Sequence, residues 1–299
     1  LHGFYFHDHM SPRQRQFYIA MEKIAARCSD VILSQNQEDI QTAIRERICP
    51  PELIKHLGNG IDLNRFDPAR ITDAERRAKR AELGLPEGAP VIGFVGRLAA
   101  KRKGVLALLA AGQRVVQRLP AARLLIVGST DHGKPDAVEP SIAGEYGIAR
   151  ECLFAGQRPN EELPLLLSLM DVLVLPSLFE GIPRVVMEAS AMSVPCVVTD
   201  VKGNREAVDH DRSGLLVPLG DVPALSEAIL AVLADVETAR RLGEGGRQVA
   251  LERFDERLVF DRVKAEYRRL LELEGLVPLP AGQPHRSPVV QTRSPSRTA

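Results

Sequence analysis

The sequence predicts an α/β protein with a doubly wound parallel sheet, and three observations lead to that fold class. Short apolar runs that end in glycine or proline recur through the middle of the chain. Stretches with helical spacing of apolar residues separate these runs. The content of 44% hydrophobic and 26% charged residues is that of an ordinary globular protein. In such sheets, ligands bind at the carboxyl ends of the strands.

Six apolar runs have the length and flanking residues of buried strands. The predicted strands are 91–96, 123–128, 152–156, 171–176, 195–199 and 214–218. Four helices are predicted between them. These helices are 105–119, 161–170, 184–192 and 222–233. Pro120 is expected to end the first helix, because proline cannot continue a helical hydrogen-bond ladder.

The first 62 residues are predicted to be the remnant of an N-terminal Rossmann-like domain. They contain two helical stretches, 12–27 and 37–47, and two short strands, 30–34 and 53–57. This β/α material is too little for a complete domain of this type, since domains typically have about 100–150 residues.

The rest of the chain is divided by composition. Residues 63–90 contain proline, glycine and a basic helical run, and we interpret them as an interdomain connector. Residues 91–253 are the predicted C-terminal domain, followed by a final helix within 254–275. The tail 276–299 has five prolines, three arginines and no acid, so it is predicted to be disordered.

Charge and cysteine content exclude several functional classes. The chain has 39 basic and 39 acidic residues, so it lacks the net positive charge of a nucleic-acid binder. Its four cysteines form no CxxC pair and indicate neither a zinc site nor a disulfide framework. The first residues lack the basic and apolar regions of a secretory signal. We therefore expect a cytoplasmic protein with no nucleic-acid partner.

A candidate anion site follows the strand at 91–96. Gly96 ends this strand, Arg97 follows it, and Lys103 lies just before the next predicted helix. Glycine permits close approach of a ligand, the helix start offers free N–H groups, and arginine binds phosphate oxygens in a bidentate manner. This pattern fits a diphosphate site. The alternative is a tight β–α turn with two surface cations.

A second candidate site contains two glutamates, Glu180 and Glu188, separated by seven residues. Glu180 follows a predicted buried strand, and Gly181, Ile182 and Pro183 lead into the helix that contains Glu188. Two carboxylates placed in this way can accept hydrogen bonds from the vicinal hydroxyls of sugars or ribose. A hydrolase with paired carboxylates is the competing chemical interpretation.

The segment 177–191, with Glu180 and Glu188 in their places, resembles the E-x7-E signature of retaining, nucleotide-sugar-dependent glycosyltransferases of the GT-B fold, family 4. Further matches occur in the order typical of that family. They are Gly58-Asn59-Gly60-Ile61-Asp62, Val95-Gly96-Arg97-Leu98, Lys103-Gly104, Leu125-Ile126-Val127-Gly128 and Phe154-Ala155-Gly156. The resemblance extends over about residues 1–269.

The resemblance implies two Rossmann-like domains that face one cleft, with the nucleotide-sugar donor mainly on the C-terminal domain. Arg97 and Lys103 would stabilise the departing nucleoside diphosphate in place of a metal, so no cofactor is expected. The gap between them is one residue longer than usual in the family, and Lys101 is the alternative to Lys103. Glu188 would hold the ribose. Glu180 would bind hydroxyls of the transferred sugar.

Other donor contacts are also inferred from the resemblance. Backbone amides near Gly181 and Ile182 would assist at the phosphates, and loops around Gly128 and Arg158 would contact the base. His2 matches a family histidine that ends an N-terminal strand near the sugar, which would place the earlier part of that domain before this sequence. His7, Asp8 and His9 are adjacent in sequence and cannot enclose a metal by themselves, so no metal site is expected.

The implied function is transfer of a sugar, with retained anomeric configuration, from a nucleoside diphosphate sugar. UDP is expected because it prevails in the family. The acceptor would be a glycan or a polyprenyl-diphosphate-linked sugar of cell-surface polysaccharide, reached through peripheral contact with the inner face of the membrane. Two alternatives remain open: a sugar-nucleotide epimerase of the same fold, and a relic that binds the nucleotide sugar without turnover.

Overall fold

The computed structural model describes residues 3, 4, 6 and 10–276, and this part of the chain contains two parallel β-sheets. The strands are β1 Ile32–Ser34, β2 Ile54–His56, β3 Val91–Val95, β4 Arg123–Val127, β5 Cys152–Gly156, β6 Val172–Leu175, β7 Cys196–Thr199 and β8 Gly214–Val217. The first two form a small sheet, and the other six form a large one.

Ten α-helices connect or flank these strands in the described residues. They are α1 Pro12–Arg27, α2 Gln37–Arg45, α3 Asp73–Glu82, α4 Val105–Arg118, α5 Leu163–Leu167, α6 Arg184–Ala191, α7 Asn204–Ala207, α8 Val222–Ala234, α9 Val236–Arg253 and α10 Glu256–Leu273. None of the helices in this part of the chain is long and apolar enough to cross a membrane.

The large sheet has the order β5-β4-β3-β6-β7-β8, and all its neighbouring strands are parallel. The predicted α/β class with parallel sheets is therefore confirmed. The order reverses between β3 and β6, because consecutive strands run outward in one direction up to β5 and in the other from β6. Ligands of doubly wound sheets bind at this switch point, beyond the carboxyl ends of the two central strands.

The central strand β6 shows why the strand predictions succeed. Its four residues, Val172 to Leu175, are at most 1% exposed, so both faces of the sheet are covered at this position. A strand buried on both faces has a continuous apolar sequence, and β-branched residues favour it. All six strands of the large sheet lie where the apolar runs predict them, within two residues.

Two helical segments differ from the prediction. Helix α5 has five residues, Leu163–Leu167, where ten were expected, and a 3-10 turn at Asn160–Glu162 precedes it. Pro164 occupies the first turn of α5, and the Ser168 hydroxyl donates to the Leu165 carbonyl at its end. Helix α7 was not predicted, because four residues are too few to show a helical period.

The predicted connector packs into the larger hydrophobic core. Phe66, Leu83 and Leu85 are all buried there, together with residues of the six-stranded sheet. Helix α10 lies against the small sheet, since the Lys55 Nζ is 2.8 Å from Glu266 Oε2 and the Arg262 guanidinium donates to the Leu57 carbonyl. The domain boundaries remain predictions. Residues 277–299, almost all of the predicted disordered tail, lie outside the described residues.

Candidate functional site

The loops after β3 and β6 bring the main predicted site residues to the switch point of the sheet. The first loop carries Gly96, Arg97 and Lys103, and the second carries Glu180. Both follow the carboxyl ends of central strands, where a ligand of this sheet type is expected. Residues 77 positions apart thereby reach one site.

Lys103 and Glu180 form an ion pair across these two loops. The Lys103 Nζ is 2.6 Å from Glu180 Oε1, and the Ser177 hydroxyl donates to the same oxygen at 2.6 Å. The two charged side chains are only 19% and 10% exposed. Lys101, the alternative to Lys103, is exposed and uses its backbone N–H to bind the Asp136 carboxylate. The structure therefore favours Lys103 as the lysine of this site.

Gly96 and Gly128 allow two neighbouring loops to approach closely. Gly128 has φ of +143°, and a Cβ at this position would lie 1.8 Å from the carbonyl oxygen of Gly96. Such a distance is far below any van der Waals contact, and L side chains rarely adopt this backbone conformation. Only glycine is compatible with this crossing, which fixes the loop after β4 against the loop that begins with Arg97.

Arg97 lies at the open side of the site. Its guanidinium is about half exposed, and its Nη1 is 3.7 Å from Asp131 Oδ2, in the loop that follows Gly128. A long ion pair of this kind at the surface is weak and is easily exchanged for another anion. The Arg97 side chain is therefore available for a charged ligand.

Glu188 lies one turn into α6 and is only 7% exposed. Burial raises the pKa of its carboxyl group, while the cations of Arg184 and Arg65 oppose this shift. The nearest of these, Arg184 Nε, is 3.6 Å from Glu188 Oε1. Pro183 directly precedes α6, and Ile182 is buried beside it. A buried carboxylate of this kind is suited to accept hydrogen bonds from ligand hydroxyls.

A buried polar network supports the loop that carries Glu180. The Thr199 hydroxyl donates to the Ser177 carbonyl at 2.6 Å, and the Asn204 amide donates to the Thr199 carbonyl at 2.9 Å. Gly203 lies so close to this loop that a Cβ there would be 1.8 Å from the carbonyl oxygen of Gly181. The loop after β7 therefore fixes the position of the Glu180 loop.

Arg158 is placed differently from the other predicted donor residues. Its Nε donates to the Ala155 carbonyl at 2.9 Å, and its Nη1 lies 3.8 Å from Glu82 and 3.9 Å from Glu162. The side chain thus contacts α3 and the turn before α5. The structure does not bring it to the Lys103–Glu180 pair.

A cleft of about 610 Å³ separates Glu180 from the N-terminal part of the chain. Its far wall includes Phe4, Arg15 and Asp39, and its near wall includes Glu180 and Lys202. Two ion pairs join these walls. Fully buried Asp39 pairs with Lys202. Glu38 pairs with Arg205 at 2.9 Å.

The sequence analysis missed several of these residues. Ser177 belongs to the recognised segment and could have been identified by its position three residues before Glu180. Arg65, Asp39 and Lys202 carry no local signal, because Asp39 and Lys202 are 163 residues apart and nothing near either predicts the other. Such contacts become visible only when the fold is known.

Among the described residues, no group of three or more His, Cys, Asp or Glu side chains could hold a metal ion. His2 lies outside the described residues, as do His7, Asp8 and His9. The predicted role of His2 at the sugar therefore stays a prediction.

Comparisons with known proteins identify the family of this chain. The family model described as glycosyl transferases group 1 matches residues 75–249. The UDP-Gal:alpha-D-GlcNAc-diphosphoundecaprenol alpha-1,3-galactosyltransferase of Escherichia coli is 30% identical over 237 residues, which cover 79% of this chain and 59% of that protein. The D-inositol 3-phosphate glycosyltransferase of Corynebacterium urealyticum is 33% identical over 250 residues, which cover 81% and 57%.

A solved structure shows the same fold. HepE of Anabaena, in complex with UDP, superposes with a TM-score of 0.79 at 23% identity, covering 90% of this chain and 71% of that chain. The chain spans a little under three fifths of the two curated relatives. Since the family model matches more than half of the sequence, the chain belongs to the glycosyl transferases group 1 family and has the GT-B fold that its sequence predicts.

Proposed function

We propose that this chain provides the nucleotide-sugar site of a retaining glycosyltransferase. The enzyme would move a sugar from a UDP-sugar to a glycan or polyprenyl-diphosphate-linked acceptor during synthesis of a cell-surface polysaccharide. The observation that carries the proposal is the Lys103–Glu180 pair at the switch point of the sheet, at 2.6 Å. The pair supports the proposal because a lysine is a cation of the kind that binds phosphate, and the carboxylate beside it is of the kind that accepts hydrogen bonds from sugar hydroxyls.

Each named side chain has a role in this proposal. The C1–oxygen bond to the diphosphate breaks as the acceptor oxygen bonds to C1, and the acceptor's proton leaves with the nucleoside diphosphate. Negative charge grows on the leaving diphosphate, and Arg97 and Lys103 stabilise it in a role that a metal has in other transferases. Glu180 accepts hydrogen bonds from the sugar hydroxyls. Glu188 accepts them from the ribose.

The comparisons support the choice of UDP and of a lipid-linked acceptor. The Escherichia coli relative is named for a UDP-galactose donor and a diphosphoundecaprenol-linked GlcNAc acceptor. The Anabaena structure of the same fold was solved with UDP. We extend these properties to this chain as part of the proposal. Cytoplasmic location and contact with the inner face of the membrane belong to it as well.

Calorimetry with UDP tests the nucleotide site directly, with GDP and ADP as comparison ligands. Lys103→Ala removes a charge-assisted bond to the diphosphate, so we expect UDP binding to weaken by about 1.5–3 kcal/mol. Lys101→Ala is the matched control, because it removes an equal charge two positions away without touching Glu180. Equal losses in the two variants would show that Lys103 has no specific role.

The stereochemical part of the proposal needs a separate measurement. Proton NMR of the product reports whether the transferred sugar keeps the anomeric configuration that it has in the donor. Retention supports the proposal, and inversion contradicts it. UDP binding without transfer to any acceptor would favour a nucleotide-sugar-binding relic over an enzyme.

A further inference from the structure

The buried Glu188 carboxylate is under the influence of two cations from separate parts of the chain. Arg184 lies one turn earlier on α6, and its Nε is 3.6 Å from Glu188 Oε1. Arg65, in the segment between the small sheet and α3, acts on the same carboxylate through its charge. A carboxylate removed from water needs such compensation, because burial disfavours its charged form.

A short turn that begins at Asp62 places Arg65. The Asp62 carboxylate accepts the backbone N–H of Asn64 at 2.9 Å and that of Arg65 at 3.2 Å. Side chains of aspartate commonly fix a turn in this way. Phe66 follows directly and is only 2% exposed, so it anchors the turn in the larger hydrophobic core. The backbone of Arg65 is therefore fixed on both sides.

The Arg65 guanidinium is also held in place. It donates to the carbonyl of Asn160, in the 3-10 turn before α5, and lies over the Phe66 ring at 5.1 Å from the ring centroid. A guanidinium suits this position, because it can stack on a ring and still donate hydrogen bonds at its edge. One side chain thus connects the loop after β5 with the surroundings of Glu188.

The contact between Arg184 and Glu188 leaves the carboxylate able to bind a ligand. At 3.6 Å it is longer than a hydrogen bond, so it attracts the carboxylate without using the acceptor capacity of Oε1. More than half of the Arg184 side chain is exposed, whereas Glu188 is buried. The cation therefore lies at the rim, and the acceptor lies beneath it.

We propose that Arg65 and Arg184 are positioning residues that hold the Glu188 carboxylate as a charged acceptor and so make the site selective for ribose over 2′-deoxyribose. The inference rests on the proposed function, which assigns Glu188 to the ribose. It deepens that function by naming the residues on which sugar selectivity in the nucleotide depends. The substrate class is a nucleoside diphosphate sugar with an intact 2′-hydroxyl group.

Calorimetry of the whole chain with UDP and with 2′-deoxy-UDP tests the proposal. The unaltered chain should bind UDP at least about tenfold more tightly, because the deoxy analogue leaves a charged acceptor without its partner. Arg65→Met and Arg184→Met should each lower this preference by about threefold or more. Arg184→Lys keeps the charge and should stay within about twofold of the unaltered chain.

The pH dependence of the preference separates this role from a merely structural one. Burial raises the pKa of the Glu188 carboxyl group, and Arg184 and Arg65 oppose that shift. Without either cation the carboxyl group keeps its proton to higher pH, so the preference should fall more at pH 6 than at pH 8. The ratio of the two ligands cancels titration of the diphosphate itself.

Two arginines elsewhere provide matched controls. Arg240 pairs with Glu244 at 2.8 Å with the same four-residue spacing as Arg184 and Glu188, but both of its partners are exposed. Arg70 lies near Arg65 in sequence and donates to the Asn64 carbonyl at 2.9 Å. Neither Arg240→Met nor Arg70→Met should change the preference by more than about twofold.

Three results would overturn the proposal. The first is an unchanged preference in Arg65→Met and Arg184→Met chains that are folded by circular dichroism. The second is an equal loss of UDP and 2′-deoxy-UDP binding, which would assign the arginines to the base or the diphosphate. The third is equal binding of both ligands by the unaltered chain.

Failure of the proposed function gives a different result. An unaltered, folded chain that binds no UDP contradicts the proposed function and removes this inference with it. A chain that binds UDP, and whose arginine variants keep the full preference for ribose, contradicts the inference alone.

Discussion

The two walls of the cleft are held in place by different forces. The wall formed by the six-stranded sheet is fixed by packing, with β6 fully buried and with Gly128 against Gly96 in direct backbone contact. The opposite wall rests on two strands of three residues each, and ion pairs such as Asp39–Lys202 join it to the rest. A close-packed core resists small displacements, whereas a partly exposed ion pair such as Glu38–Arg205 can exchange partners. The wall that we propose to bind the nucleotide is therefore the more rigid one, and the opposite wall is the more adjustable one.

The largest expected effect comes from disturbing the packed wall. Gly128→Ala puts a Cβ 1.8 Å from the Gly96 carbonyl oxygen in a backbone conformation that alanine rarely adopts. We expect the free energy of unfolding, measured with urea, to fall by more than about 3 kcal/mol. Gly133→Ala is the matched control, since its Cβ would meet nothing closer than 3.9 Å. A loss below about 1 kcal/mol at Gly128 would mean that these loops adjust freely, contrary to the comparison.

A smaller effect is expected at the ion-paired wall. Lys202→Met leaves the fully buried Asp39 without its cation, while Asn36 still donates to the Asp39 carboxylate at 2.8 Å. We expect the free energy of unfolding of the N-terminal region to fall by about 2 kcal/mol. Hydrogen exchange should speed up in β1, β2 and α2 and stay unchanged in β3 to β8.

A surface pair provides the control for Lys202→Met. Arg118 and Glu227 lie 2.7 Å apart with more than half of each side chain exposed, so Arg118→Met should cost less than about 0.5 kcal/mol. If Lys202→Met accelerated hydrogen exchange equally in both sheets, the two walls would unfold together, and the comparison between them would be wrong.

The smallest effect concerns Glu188, where burial raises the pKa of the carboxyl group. The folded state then binds this proton more tightly than the unfolded state. Its stabilising contribution is complete below the ordinary pKa and is lost as pH rises through the raised folded pKa. Glu188→Gln removes the charge that is unfavourable at neutral pH, so stability at pH 7 should rise by up to about 1 kcal/mol. UDP binding should weaken in the same variant.

Thermal and urea unfolding between pH 4.5 and 7 measure this dependence. The free energy of unfolding of the variant should decline less as the pH rises. Some decline should remain, because burial also raises the pKa of Asp171, which the variant still contains. Glu180→Gln is the contrasting variant, because it breaks the pair with Lys103 and should destabilise the fold. A loss of stability at pH 7 in Glu188→Gln would contradict the sign derived above.

Much of the large sheet could be predicted because its strands have a strong sequence signal. The segment 152–156 was predicted with the bounds that β5 has, and 12–27 with those of α1. Short apolar runs bounded by glycine and proline fit few secondary structures other than a buried strand. Helix α5 was predicted to be too long because its ends have a weak sequence signal. Apolar residues continue past its last residue, and only Pro164 and Ser168 mark its limits.

The candidate site was less predictable than the sheet. Glu180 and Glu188 were found through the spacing of the segment 177–191, and Arg97 and Lys103 through their position after a strand that ends in glycine. The orientation of Arg158 toward Glu82 and Glu162 depends on how α3 packs, and no local pattern encodes that. A cleft between two domains was predicted, but the residues Phe4, Arg15 and Asp39 of its far wall were not, because their places depend on contacts between distant parts of the chain.

The pair of Asp39 with Lys202 also sets an order of events during synthesis. A ribosome adds about 5–20 residues per second, so the 163 residues between them take about 8–30 s to make. Throughout that time Lys202 and Arg205 do not yet exist, so neither of their ion pairs with α2 can form. The contacts that join the far wall of the cleft to the loop after β7 can therefore form only once residues 202 and 205 have been made. Chaperones that protect nascent chains can act on the unpaired side chains of α2 throughout that interval.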